Sequence, residues 1–119
     1  MRKTLVLTLL VGSAMIAVNA FGAMSPPTLV GTDGPGFTIT LKENAKTVKT
    51  LRAGTYRFVI HDRSSIHGFS LDGPHGFAKD IASITGTGTT TITLRLKAGR
   101  YKFYCPNHES TMFGHFTVR

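Results

Sequence analysis

The run Leu96-Lys-Ala-Gly-Arg-Tyr-Lys-Phe-Tyr-Cys-Pro-Asn-His-Glu-Ser-Thr-Met112 governs how the rest of the chain is read. Its first half is an Ala-Gly turn followed by strict alternation of Tyr101 and Phe103 with Lys102, the pattern of a strand that turns one face to a core and the other to water. Parity carries that direction forward: Cys105, two residues past Phe103, points inward at the strand's end. His108 and Met112 follow on the same short loop. A thiolate, an imidazole and a thioether held together are soft donors of the kind that suit copper. Cys105 is also the sole cysteine of the 119 residues.

Moving outward, the first half of this run has an earlier copy, Leu51-Arg-Ala-Gly-Thr-Tyr-Arg-Phe58, matching Leu96-Lys-Ala-Gly-Arg-Tyr-Lys-Phe103. In each copy the Ala-Gly pair turns the chain between an outgoing and an incoming strand, glycine tolerating positive φ. Two copies are too few for a repeat array and read as equivalent turns in two halves of a sandwich. The same period of two recurs in Phe37, Ile39 and Leu41, in Tyr56, Phe58 and Ile60, in Ile92, Leu94 and Leu96, and in Gly114, Phe116 and Val118. No long helical pattern interrupts it; only a turn is expected around Phe77–Ala82. The fold class is therefore all-β, an antiparallel Greek-key β-sandwich of seven or eight short strands.

The N-terminus has a different character. Arg2 and Lys3 precede an apolar run from Leu5 to Val18, and Val18-Asn19-Ala20 offers a small-residue cleavage site, so residues 1–20 read as a signal peptide. That run is too short for a firm membrane span, and no cysteine near the junction could carry a lipid; an uncleaved anchor is the lesser alternative. Residues 21–36, rich in proline and glycine, form a flexible lead-in with a possible first strand at Thr28–Gly31, and residues 37–119 form the single domain. The expected location is periplasmic or secreted.

Charge narrows the partners. The chain has 14 Lys and Arg against 6 Asp and Glu, a formal +8, and removal of residues 1–20 takes away only two basic groups, leaving +6. The basic residues alternate with apolar ones along strands (Arg57, Arg95, Lys97, Arg100, Lys102), which is the habit of a solvated sheet face and not of a nucleic-acid-binding block. Redox partners with acidic docking surfaces, no nucleic acid, no stable membrane span after cleavage, and a monomeric state are the expectations. The few acids allow no paired carboxylates and no Ser-His-Asp arrangement, so the chain is not expected to be an enzyme.

In an exported, oxidising setting a lone cysteine has no internal disulfide to make, and metal ligation gives it a purpose. His67, 38 residues before Cys105, shares parity with Phe69 and Leu71 and so faces the core. A neighbouring strand would deliver it to the loop that carries Cys105, His108 and Met112. The alternative is that Cys105 and Met112 are ordinary core residues and His108 a loop histidine. His61, His75 and His115 read as solvated, and Asp62 with Arg63 as a turn charge pair.

At Ser65-Ile-His-Gly-Phe-Ser-Leu-Asp-Gly-Pro74 and at Gly99–Val118 the chain resembles the cupredoxins, the small plastocyanin-like and azurin-like blue copper proteins. The resemblance runs from about Phe37 to Arg119. It implies that His67, Cys105, His108 and Met112 ligate one Cu(I)/Cu(II) ion, with methionine as the weak axial donor, and that the protein carries single electrons. It also implies a docking patch of Pro106, Met112 and Phe113 around His108. Copper storage or delivery through the same ligands is the competing function. A multicopper oxidase would need further copper sites and adjacent His-Cys-His ligation, which this chain lacks. One departure stands out: where the family often has an asparagine that braces the ligand loop, this chain has Gly68.

Overall fold

The computed structural model describes residues 24–119, so the expected signal peptide and the first residues of the lead-in lie outside the described residues. Alternating residues build ten strands: β1 (Thr28–Asp33), β2 (Ile39–Glu43), β3 (Lys46–Thr47), β4 (Thr50–Leu51), β5 (Gly54–Asp62), β6 (Phe69–Asp72), β7 (Ala78–Ala82), β8 (Gly88–Leu96), β9 (Gly99–Tyr104) and β10 (Phe113–Val118). Two 3-10 turns, Pro74–Gly76 and Pro106–His108, are the remaining regular elements among the described residues. The strands form two five-stranded sheets, ordered β3-β2-β1-β5-β8 and β4-β10-β9-β6-β7.

The sandwich is all-β as the sequence predicts, but three expectations of detail are corrected. There are ten strands instead of seven or eight, because β3 and β4 have two residues each and are too short to show any period. The segment after Phe77 is likewise a strand, β7, and not a turn. The sheets are also mixed: β1 runs parallel to β5, and β4 parallel to β10. Alternation tells which way a side chain faces and nothing about the direction of the neighbouring strand. Here the chain leaves the first sheet after β3, visits the second as β4, and returns as β5 alongside β1.

The possible first strand at Thr28–Gly31 is present, as β1 over Thr28–Asp33. It is the central strand of its sheet, flanked by β2 and β5, with Leu29 fully buried. Its single inward leucine and its glycine at position 31 gave too weak a pattern to reveal that central place.

Between the sheets lie Leu29, Leu41, Phe58, Ile60, Phe69, Leu71, Leu96, Tyr101 and Phe116, all essentially without solvent contact. Phe69 stacks on Phe103 at 5.7 Å between ring centroids and Tyr101 on Phe116 at 5.1 Å, within the range where aromatic pairs gain beyond simple burial. The two Leu-x-Ala-Gly-x-Tyr-x-Phe copies prove structurally equivalent. Tyr56 donates its hydroxyl to the Arg52 carbonyl at 2.8 Å, Tyr101 donates to the Lys97 carbonyl at 2.9 Å, and Gly54 and Gly99 have φ of 158° and 148°. Each copy thus clamps its own turn and launches an interior strand of its sheet.

Candidate metal centre

β6 and β9 are hydrogen-bonded neighbours, Ser70 opposite Tyr104 and Leu71 opposite Phe103. The residue three before Ser70 and the residue after Tyr104 therefore meet at one end of the sandwich, and these are His67 and Cys105. His67 is 1% exposed and Cys105 fully buried. His108 is half-buried, at the end of the 3-10 turn that Pro106 starts immediately after the cysteine.

Backbone bonds hold the loop closed. The His108 amide donates to the Cys105 carbonyl at 3.0 Å, the Met112 amide to the His108 carbonyl at 2.7 Å, and the Cys105 amide to the Met112 carbonyl at 3.0 Å. Met112 is fully buried at the point where β10 begins.

The three donor atoms form a compact triangle. Nδ1 of His67 lies 3.1 Å from Nδ1 of His108, and Cys105 Sγ lies 3.8 Å from the first and 3.7 Å from the second. A point equidistant from all three sits about 2.1 Å from each, close to ordinary metal–nitrogen and metal–sulfur bond lengths. No disulfide partner competes for the thiol, since Cys105 is free. Nitrogen, nitrogen and thiolate arranged around such a point match the donor preference of a soft transition metal.

Several residues at this end carry no signal in the sequence. Phe37 alternates with Ile39 and Leu41 and was expected in the core. Instead it is 62% exposed and lays its ring edge-on against both imidazoles, with centroids 5.3 Å from His67 and 4.9 Å from His108. It precedes β2 and lies outside that strand's pleat, so parity does not apply to it. Asn107, on the ligand loop, donates its side-chain amide to the carbonyl of Ile66 at 3.0 Å, tying the loop to the residue before His67.

Asn107 bears directly on Gly68. A Cβ at Gly68 would come within 2.7 Å of the Ala82 carbonyl oxygen and 3.0 Å of Ile84 Cγ2, so no larger residue fits there without moving β7 and the chain that follows it. The brace expected after the first histidine is sterically barred. A loop-to-loop hydrogen bond now comes from the other side of the site.

The Asp62–Arg63 turn pair is another correction. Asp62 is 6% exposed and sits opposite Asp33 at the paired ends of β5 and β1; Asp33 has no exposed surface, and neither of its carboxyl oxygens receives a hydrogen bond among the described residues. Burial first, and then the neighbouring Asp62 carboxyl, push Asp33 up to about 7. A protonated Asp33 can donate to Asp62, whereas two carboxylates would face each other with nothing between them. Asp62 in turn accepts the Ser64 amide at 3.1 Å, and Ser64 accepts the His67 amide at 3.2 Å, so the acid pair lies beneath the turn that leads to His67.

His61 and His115 stay outside the cluster. His61 Nδ1 meets the Thr89 hydroxyl at 3.0 Å, and His115 lies on the outer face of β10, its pKa lowered by partial burial and by Arg100 and Lys102.

No family model matches the sequence, and no curated protein matches it. Solved structures do. Auracyanin A, a "blue" copper protein of the green thermophilic photosynthetic bacterium Chloroflexus aurantiacus, superposes with a TM-score of 0.55 at 22% identity, over 80% of this chain and 100% of that one. The chain has the cupredoxin fold. Rusticyanin in a methionine-to-glutamine variant gives a TM-score of 0.56 at 20% identity over 77% of this chain and 76% of the other, and rusticyanin of Thiobacillus ferrooxidans 0.51 at 20% over the same shares. Within this cupredoxin fold the described residues contain one cluster of three metal-capable side chains, His67, Cys105 and His108. No helix among them is long and apolar enough to cross a membrane.

Proposed function

We propose that this protein is an exported one-electron carrier that holds a single copper ion with His67, Cys105 and His108, with Met112 as a weak axial donor. The observation that carries this reading is the donor triangle, which is small enough that one point lies about 2.1 Å, a metal-bond length, from all three atoms. Copper in such a site supplies a reversible Cu(I)/Cu(II) couple.

The chain's own residues do the rest. Burial of Cys105 and His67, and the backbone bonds that close the loop, hold the donors in one geometry whatever the charge between them, so little rearrangement accompanies gain or loss of an electron. His108 is the donor nearest solvent and the natural point of electron exit, with Pro106 and Phe113 exposed on the same loop and at its end; Met112, expected in the same patch, is fully buried. Redox partners, acidic ones in particular, fit the excess of basic residues.

Copper loading followed by visible absorption and voltammetry tests the proposal. A carrier gives an intense thiolate-to-copper band and a reversible couple, with the metal retained through repeated cycling. A delivery protein with the same ligands instead hands its Cu(I) to a competing thiolate protein at stoichiometric concentration. A colourless Cu(II) form with Cys105 reduced would refute the carrier reading.

A further inference from the structure

At the end of β9 away from Cys105 there is a second concavity, of about 220 Å³, at the open side of the sandwich where the edge strand β8 faces the β6–β7 connection. Tyr101 and Phe77 line it, their rings in an edge-to-face contact with centroids 5.8 Å apart. Pro74 closes one side, Arg95 and Lys97 supply the charge and His75 an imidazole; no acidic residue lines the cavity.

Two features separate this from an ordinary basic surface. First, it is built on fixed groups. The Tyr101 hydroxyl donates to the Lys97 carbonyl at 2.9 Å and accepts the Lys97 amide at 3.0 Å, and Pro74 packs so closely on Gly99 that a Cβ there would lie 2.5 Å from its ring. Second, the charge is unspent. The single ion pair among the described residues is Lys102 with Glu109, so neither Arg95 nor Lys97 has a carboxylate partner.

His75 adds to this. It occupies the first central position of a tight turn closed by the Phe77 amide on the Pro74 carbonyl at 3.1 Å, with φ of 57° and ψ of 36°. Asparagine, aspartate or glycine fills such a position with less strain. An imidazole there is a costlier choice, and it places a third potential cation on the same cavity.

We propose that this cavity is a binding site for a small carboxylate carried on a flat apolar body. The guanidinium of Arg95 is a planar fork that matches an oxyanion through two parallel hydrogen bonds, and Lys97 adds an unoriented positive charge. Phe77 and Pro74, both partly exposed, offer the apolar surface that a flat body covers, and the buried Tyr101 backs it from beneath. The volume, below that of drug-sized pockets, sets the size limit at roughly a single ring with its acid group. The site does not depend on the metal reading, because the cavity and the donor cluster lie at opposite ends of β9.

The test is amide NMR of the full chain at constant ionic strength, titrated with benzoate and, separately, with acetate and inorganic phosphate. Saturable shifts confined to residues 73–77 and 95–101, with benzoate binding about tenfold tighter than acetate, are the expected result. The exposed double variant Arg95→Gln/Lys97→Gln should weaken benzoate by at least about tenfold while leaving thermal unfolding unchanged. Equal affinity for acetate and benzoate would remove the rings from the site. Tighter binding of phosphate than of benzoate would make it a simple anion patch, and shifts spread over Lys42, Lys46 and Lys49 would make it nonspecific charge. Each of these three outcomes overturns the proposal.

Discussion

β5 and β9 begin alike and end differently. Each follows a Leu-x-Ala-Gly-x-Tyr-x-Phe segment, each is pinned by a tyrosine hydroxyl on the carbonyl four residues back, and each sends alternate side chains into the same core. β9 then delivers Cys105 to two imidazoles, while β5 delivers Asp62 to a second buried carboxyl group. The launching device is local and was readable from eight residues. What a strand end becomes depends on its neighbour: β9 lies beside β6, which brings His67, and β5 lies beside β1, which brings Asp33.

The difference between the two ends is sharpest under mutation of the group that defines each. Cys105→Ser removes the thiolate, so the intense visible band of the copper-loaded protein should vanish entirely, whereas Asp33→Asn should leave it in place. Absorption spectra of the two loaded variants decide this. Loss of the band in Asp33→Asn would show that the two ends are not independent, through the Asp62–Ser64–His67 hydrogen bonds.

The second test concerns pH. Asp33 has its folded pKa raised from 3.8 to about 7 by burial and by Asp62. For an acid shifted in that direction the native state binds more protons than the unfolded chain between the two values. Its contribution is complete below about pH 4 and is lost as pH rises towards 7. Wild-type stability should therefore decline across that window by on the order of 3 kcal/mol relative to Asp33→Asn, which keeps a donor towards Asp62 without titrating. Urea unfolding of both metal-free proteins at pH 4.5 and 7.5 measures it. Parallel pH profiles would mean that Asp33 titrates normally.

These two ends also show what the sequence could and could not reveal. Cys105, His108 and Met112 are close in sequence, and their chemistry can be read from one loop. Strand parity added His67, and the structure brings His67, Cys105 and His108 together. Asp33 and Asp62 lie 29 residues apart on strands that pair in parallel, a pairing that alternation does not encode, so Asp62 read as a surface turn charge. Phe37 and Asn107 were invisible for a related reason: a phenylalanine beside an alternating run looks like core, and an asparagine in a loop looks solvated, until the opposing loop is in place. The two-residue strands β3 and β4 left no pattern at all.

Gly68 offers an intermediate test of the copper end alone. Gly68→Ala pushes a Cβ against the Ala82 carbonyl and Ile84, and overpacking of this kind destabilises by about 1–3 kcal/mol. The strain falls on the residue after His67, so the visible spectrum should shift as stability drops. The same overpacking with an unchanged spectrum would show that Asn107 and Phe37 hold the imidazole whatever happens to its neighbour.

The smallest effects return to the shared device. Tyr56→Phe removes one hydrogen bond, from its hydroxyl to the Arg52 carbonyl, and should lower stability by about 1 kcal/mol. Tyr101→Phe removes two, because the same oxygen also accepts the Lys97 amide, which would be left half-buried without an acceptor. Its cost should be larger, about 2 kcal/mol, since a stranded donor adds its own desolvation penalty. The two clamps sit in different sheets, so the double variant should show the sum of the single effects within a few tenths of a kcal/mol. Denaturant midpoints of the four proteins, with the slope checked for constancy, give the cycle. Equal costs for the two tyrosines would mean that the Lys97 amide finds another partner, water included, and that the two copies are energetically as well as geometrically the same.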